Sequence, residues 1–168
     1  MKKLCLLLAT LTMLFACTKS DPFFDGILDG SNLDAISPVQ QIGSLETNQS
    51  AVWTALNANG VQYGEPTAII FNDYSECLAE FPEIDFARYS LVVGQVYFGS
   101  GGSKITGQRV VIGKDCINVY VSVDEVYEVN TCDVRFFPFA ALYAKLPDLP
   151  VKFRSFYNGV ESSVWVLE

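Results

Sequence analysis

The chain has 168 residues, half of them apolar and 13% aromatic, with a net charge of -8 and no histidine. That length and composition fit one domain with a packed core, and the acidic balance excludes the basic footprint that nucleic-acid binding needs. The missing histidines remove the commonest general base and metal ligand, so Ser-His-Asp and Cys-His catalysis by this chain alone are excluded.

Met1-Lys2-Lys3 is a basic start, and Leu4–Phe15 is an apolar run too short for an ordinary spanning helix. It ends in Leu14-Phe15-Ala16-Cys17, which resembles the lipobox of bacterial lipoproteins. The resemblance implies cleavage before Cys17 and a diacyl or triacyl lipid, such as palmitate, on Cys17, enough for stable membrane attachment. Loss of residues 1–16 removes Lys2 and Lys3 and takes the charge from -8 to -10. Thr18 stands where an Asp would hold the protein at the inner membrane. That implies an outer-membrane lipoprotein at the periplasmic face or cell surface, and Lys19-Ser20-Asp21 is similar to the start of surface-exported lipoproteins of Bacteroidota.

The expected division is a signal peptide over 1–16, a lipid anchor and tether over 17–49, and a single β-rich globular domain over 50–168. In the tether, Asp21, Asp25, Asp29 and Asp34 lack the alternating oxygens of a calcium loop and read as a solvated acidic spacer. Phe23, Phe24, Ile27 and Leu28 have the character to dock on the domain or on a membrane surface.

Val52, Trp53 and Leu56 would share a helical face, but Asn57-Ala58-Asn59-Gly60 is a turn signal, and an extended segment is expected over 50–64. Thr67–Phe71 reads as a buried strand. Asp73-Tyr74-Ser75-Glu76 has the form of a capping box, opening a short helix over Tyr74–Glu80 that Phe81-Pro82 ends, with Leu78 and Phe81 toward the sheet. Ser90–Phe98 is apolar on both faces, with Leu91, Val93 and Tyr97 on one and Val92, Val96 and Phe98 on the other. That pattern predicts a central strand covered on both sides, with Gly94 marking a bulge or a close approach.

Gly99–Ser103 is expected to be a hairpin loop returning Lys104–Ile112 antiparallel to that strand. Ile117–Val123 alternates, with Ile117, Val119, Val121 and Val123 inward and Asn118, Tyr120 and Ser122 outward. Val126–Val129 extends it past a bulge, and Val134–Ala144 is a further strand in which Pro138 demands a bulge or an edge. After the Leu146–Pro150 turn, Val151, Phe153 and Tyr157 face in while Lys152 and Arg154 face out. Asn158-Gly159 is a hairpin turn, and Ser163–Leu167 closes the chain. The expected fold is α+β and mostly antiparallel, a small β-sandwich or open barrel of about seven strands with one short helix.

Ile84-Asp85-Phe86 with Tyr89, the strand Leu91–Phe98, the hairpin Gly99–Gly107 and the late run Phe139–Lys145 together resemble the C-terminal domain of the protease-complex subunit PrcB and related small lipoproteins of Bacteroidota. The resemblance spans roughly residues 67–157. It implies a lipoprotein that binds and stabilises a protein partner, and it carries over no catalytic residues.

Beside Cys17, residues 17–168 keep Cys77, Cys116 and Cys132. An oxidising envelope favours one disulfide and one free thiol. Cys116 and Cys132 flank one strand and its turn and are the first candidate pair, leaving Cys77 buried on the helix. Without C-x-x-C spacing, no zinc site or other cofactor is expected. Glu83 and Asp85 are candidates for glycosidase chemistry only by their position next to the central strand, and the preferred reading of Asp85 is a cap on the Phe86–Tyr89 turn. Gly99–Gly102 lacks the Lys-Ser/Thr and helix of a phosphate cradle. Trp53, Tyr97, Tyr120, Tyr157 and Trp165 are either core or a sugar-stacking platform, with Tyr120 the best outward case. The expectation is a non-enzymatic outer-membrane lipoprotein that binds a protein partner at the envelope. The alternative is a glycan- or ligand-binding surface lipoprotein, with Tyr120, Gly99, Gly101 and Gly102 as its candidate surface.

Overall fold

The strand Tyr89–Phe98 (β4) lies in the middle of the molecule, and the layers are built outward from it. The computed structural model describes residues 35–36, 40–41, 49–98, 102–125 and 135–166. Two short strands, Ala35–Ile36 (β1) and Gln40–Gln41 (β2), precede a helix at Gln49–Ala58 (α1). Thr67–Phe71 (β3) and a 3-10 turn at Glu76–Leu78 lead into β4. Ser103–Ile112 (β5), Ile117–Glu125 (β6), Arg135–Ala144 (β7), Val151–Tyr157 (β8) and Val160–Val166 (β9) complete the chain.

The strands form a five-stranded sheet, β1-β5-β6-β8-β9, and a four-stranded sheet, β2-β7-β4-β3. All pairings are antiparallel except β6 with β8. The parallel pair arises because the chain crosses to the other sheet as β7 before returning as β8, which supplies the crossover that parallel neighbours need. Seven long strands in two mostly antiparallel sheets, with one helix, match the expected sandwich.

Burial explains why β4 has no polar face. Val92 and Val96 enter a core between the sheets with Val119, Val121, Phe139 and Phe153. Leu91 and Val93 enter a second core on the opposite side, under α1. β4 therefore belongs to a middle layer, covered by a sheet on one side and a helix on the other. Each fully buried Val or Leu there contributes about 1.5–3 kcal/mol of transfer free energy. Gly94 is a close approach, not a bulge, since the β4 register runs unbroken against both neighbours.

The structure corrects the extended reading of residues 50–64. Ala51, Val52, Ala55 and Leu56 are buried on one helical face and share a core with Leu91, Val93 and Ala140 of the sheet. The Asn57–Gly60 turn signal is real but ends the helix. Gly60 has φ +77°, its N–H donates to the Asn57 carbonyl, and the Val61 N–H donates to the Leu56 carbonyl at 3.1 Å. This is a Schellman cap, completed by Val61 packing into the same core as Leu56.

The capping box is also corrected. Ser75, not Asp73, stands at the N-cap of a single 3-10 turn and makes no side-chain cap bond. Leu78 and Phe81 are buried at a spacing of three, which one tight turn satisfies without a longer helix. The β4–β5 hairpin does not form, because both edges of β4 are occupied by β3 and β7, and β5 joins the other sheet. Within the span expected as anchor and tether, residues 35–36 and 40–41 each add one short strand to a sheet. Pro138 lies in regular pairing with Gln95 and toward an edge that β2 reaches only at Ala141 and Leu142. Asn158 and Gly159, at φ +47° and +79°, form the expected hairpin turn.

Candidate functional site

Among the sequence-predicted site residues, Cys17, Gly99, Gly101 and Cys132 lie outside the described residues, as do Val126–Val129 and the side chain of Trp165. Gly102 is buried in the turn just before β5. Cys116 is a half-buried free thiol that accepts a contact from Asn118 Nδ2 at 3.7 Å. Cys77 is also a free thiol, half-buried beside Ser75 Oγ at 3.2 Å.

Tyr120 does turn away from the inter-sheet core, but it is only 5% exposed, which corrects its reading as an open stacking surface. Its ring stacks on Phe156 at 6.2 Å, and the Arg154 guanidinium lies 5.5 Å from its centroid. Arg154 in turn grips Glu161 through two hydrogen bonds of 2.7 Å. That hydrogen bonding holds the Glu161 carboxyl below its ordinary value and the guanidinium above its own. A carboxyl depressed in the folded state adds stability at neutral pH that fades as pH falls through its folded range. For so exposed a pair the amount is below about 1 kcal/mol.

The Asp85 side chain accepts from the Ala87 N–H at 3.1 Å, while its carbonyl accepts from Arg88 and Tyr89, so it caps the turn into β4. Glu83 lines a cleft of about 460 Å³ with Tyr74, Leu78, Phe81, Ile84 and neighbouring residues, and among the described residues no second carboxylate joins it there. Among the described residues, no group of three or more Cys, Asp or Glu is placed to hold a metal.

Two surfaces stand out instead. The first follows β3, the end strand of its sheet, whose outer edge has no strand partner among the described residues. A groove of about 200 Å³ runs between this edge and the segment leading to β8, floored by Ile69, Ile70, Pro147, Leu149 and Val151. It continues into a wider hollow of about 480 Å³ that carries Asp73 and Asp148. The floor is tied down by polar bonds. Ser90 Oγ donates to Asn72 and accepts the Leu146 N–H at 2.8 Å, and Lys145 Nζ donates to the carbonyls of Asn72 and Phe86. Asp73 and Asp148 are exposed at its mouth and leave it acidic.

The second surface is built from α1, the loop after it, β4 and β7. Trp53, Tyr63, Phe136 and Tyr97 form a chain of rings with successive centroids 5.3, 5.4 and 5.5 Å apart. Tyr63 is 66% exposed and Tyr97 36%. Nearby, buried Gln95 donates to the Gln62 carbonyl at 2.6 Å, while its Oε1 and the Thr67 hydroxyl find no partner among the described residues. The sequence supplied Trp53 and Tyr97 for such a surface. Tyr63 and Phe136 are added because the strand register places Phe136 opposite Tyr97, while the loop after α1 brings Tyr63 against Phe136.

Comparison of the chain with protein-family models, with curated proteins and with solved structures finds no match.

Proposed function

We propose that this protein is a non-enzymatic, lipid-anchored envelope protein that binds a protein partner by taking an extended segment of it along β3. The observation that carries this reading is the outer edge of β3, which has no strand partner among the described residues, beside an apolar groove. Strand addition draws its affinity from main-chain hydrogen bonds and its selectivity from alternate side chains entering pockets. Ile69, Ile70 and Leu149 suit apolar alternate side chains, and Asp73 with Asp148 suits a basic residue flanking them. The lipobox at Cys17 and the resemblance to partner-binding lipoproteins support the same reading.

The test is photo-crosslinking in native cells from an unnatural residue at Asp148, with a control at Val160, which is 69% exposed and distant in the sheet order. One envelope protein captured in stoichiometric yield from Asp148 and not from Val160 is the expected result. Equal background from both positions would end the β3 reading.

The ring chain at Trp53, Tyr63, Phe136 and Tyr97 favours a second reading, a glycan-binding surface. Replacing one stacking aromatic lowers such binding by about 1 kcal/mol or more. Tyr63→Ala is therefore expected to weaken capture on a glycan array about fivefold, and an array blank for the unaltered protein removes this reading.

A further inference from the structure

The segment between β3 and β4 gathers aromatic side chains around a cleft that the β3 edge and the ring chain do not use. Leu78 and Phe81 are buried in the second core and close its inner side, while Ile84 and Phe86 pack half-buried against that core. Tyr74 is 68% exposed, and Glu83 is exposed beside it along the same cleft. At about 460 Å³ the cleft is in the size range of small-molecule sites.

Two observations give it a chemistry. The first is that its groups are uncommitted. Among the described residues, the Glu83 side chain has no ion pair or hydrogen bond, and the rings of Tyr74, Phe81 and Phe86 contact no other ring and no cation. The basic residues nearest by are engaged elsewhere. Arg88 lies over the Tyr89 ring at 5.4 Å, and Lys145 donates to the Asn72 and Phe86 carbonyls from the hollow that carries Asp148. The second observation is the charge of the segment. Asp73, Glu76, Glu80, Glu83 and Asp85 fall within one stretch that contains no Lys or Arg, so the surroundings of the cleft attract cations.

The lining selects among cations. A divalent metal needs several oxygens, and among the described residues no carboxylate cluster is placed to supply them. An aromatic ring instead attracts a cation through its quadrupole, and it does so best for a nitrogen clothed in carbon, which gives up little hydration. The apolar walls gain from burying the same carbon. We propose that this cleft binds a small organic ammonium cation, its charge held between Glu83 and the Tyr74 and Phe86 rings, and its carbon against Leu78, Phe81 and Ile84.

The test follows backbone amide shifts of the isotope-labelled full chain in nonionic detergent during titration with tetramethylammonium chloride. Potassium chloride at equal ionic strength and neutral tert-butanol are the controls. Amides of residues 74–86 are expected to shift and saturate, with a midpoint below about 10 mM. Neither control should move them at that concentration. Tyr74→Leu keeps apolar bulk but removes the ring, and is expected to weaken binding about fivefold. Glu83→Gln keeps the shape but removes the charge, and is also expected to weaken it about fivefold. Both residues are exposed, so both variants should keep the native spectrum elsewhere; if one does not, the other decides. Equal shifts with potassium or tert-butanol, or unchanged affinity in an intact variant, overturn the proposal. So do shifts seen only with phosphatidylcholine nanodiscs, which would give the cleft to a lipid headgroup. The cleft shares no lining residue with the groove beside β3, and the titration needs no protein partner, so this inference and the β3 reading fail separately.

Discussion

Gly94→Ala is expected to destabilise the domain by about 3 kcal/mol, at the upper end for overpacking, and Gly94→Val to prevent folding. A Cβ at Gly94 would stand 2.4 Å from the Thr67 carbonyl oxygen and 2.4 Å from Phe139 Cζ. Neither neighbour can easily yield. Thr67 is held in the β3–β4 ladder through to Phe71, and the Phe139 ring is stacked on Phe153 at 6.1 Å. Moving β3 would open the second core, where Phe71 is 9% exposed. Small domains have about 5–15 kcal/mol in total, so a loss of this size shifts the transition visibly. Urea unfolding followed by tyrosine and tryptophan fluorescence measures it, with the midpoint falling while the slope stays constant. A midpoint equal to that of the unaltered protein would mean that β3 slides freely, and a sliding β3 could not present the fixed edge proposed for partner binding.

The parts of the fold legible in the sequence are those where one local pattern has one physical solution. Ser90–Phe98 carries no polar face, and only a layer covered on both sides accommodates that. Asn158-Gly159 needs two positive φ values, and a tight hairpin turn uses both. Other segments were ambiguous because the deciding term is tertiary. Asn57–Gly60 ends a strand or a helix equally well, and the burial of Ala51, Val52, Ala55 and Leu56 under one face decides for helix. The glycine-rich link after Phe98 suits a hairpin or an arch between sheets, and the choice follows from β4 having both edges filled by β3 and β7. Tyr120 alternates outward as expected, but exposure depends on what lies over it, which strand periodicity does not encode. The outer edge of β3, without a strand partner among the described residues, has no sequence mark either. Thr67–Phe71 reads as buried strand because its faces are covered, while the edge is a property of sheet order. The ring chain was half visible, since Trp53 and Tyr97 carry the right chemistry but only the β4–β7 register brings Phe136 beside Tyr97.

Phe153→Ala is expected to cost about 3–5 kcal/mol, the range for emptying a fully buried aromatic site. Phe153 is 0% exposed and stands where the two sheets meet, with its ring nearly parallel to that of Phe139, 22° between planes. Its loss removes the transfer term, leaves a cavity that two paired sheets cannot readily close, and forfeits a ring–ring contact worth about 0.5–1.5 kcal/mol. Phe153→Leu keeps most of the volume and is expected to cost under about 2 kcal/mol. A double-mutant cycle with Phe139→Leu separates packing from stacking, and a coupling near 1 kcal/mol is expected if the two rings act together. Additive losses would place the cost in volume alone. Val151, on the same strand and two residues away, lines the groove beside β3, whereas Arg154 and Phe156 point to the opposite side of the sheet. Emptying the Phe153 site should therefore loosen the β3 groove and the outer face of the five-stranded sheet together. Replacing Asp148 or Tyr120, each on one side only, should disturb one surface and leave the other intact.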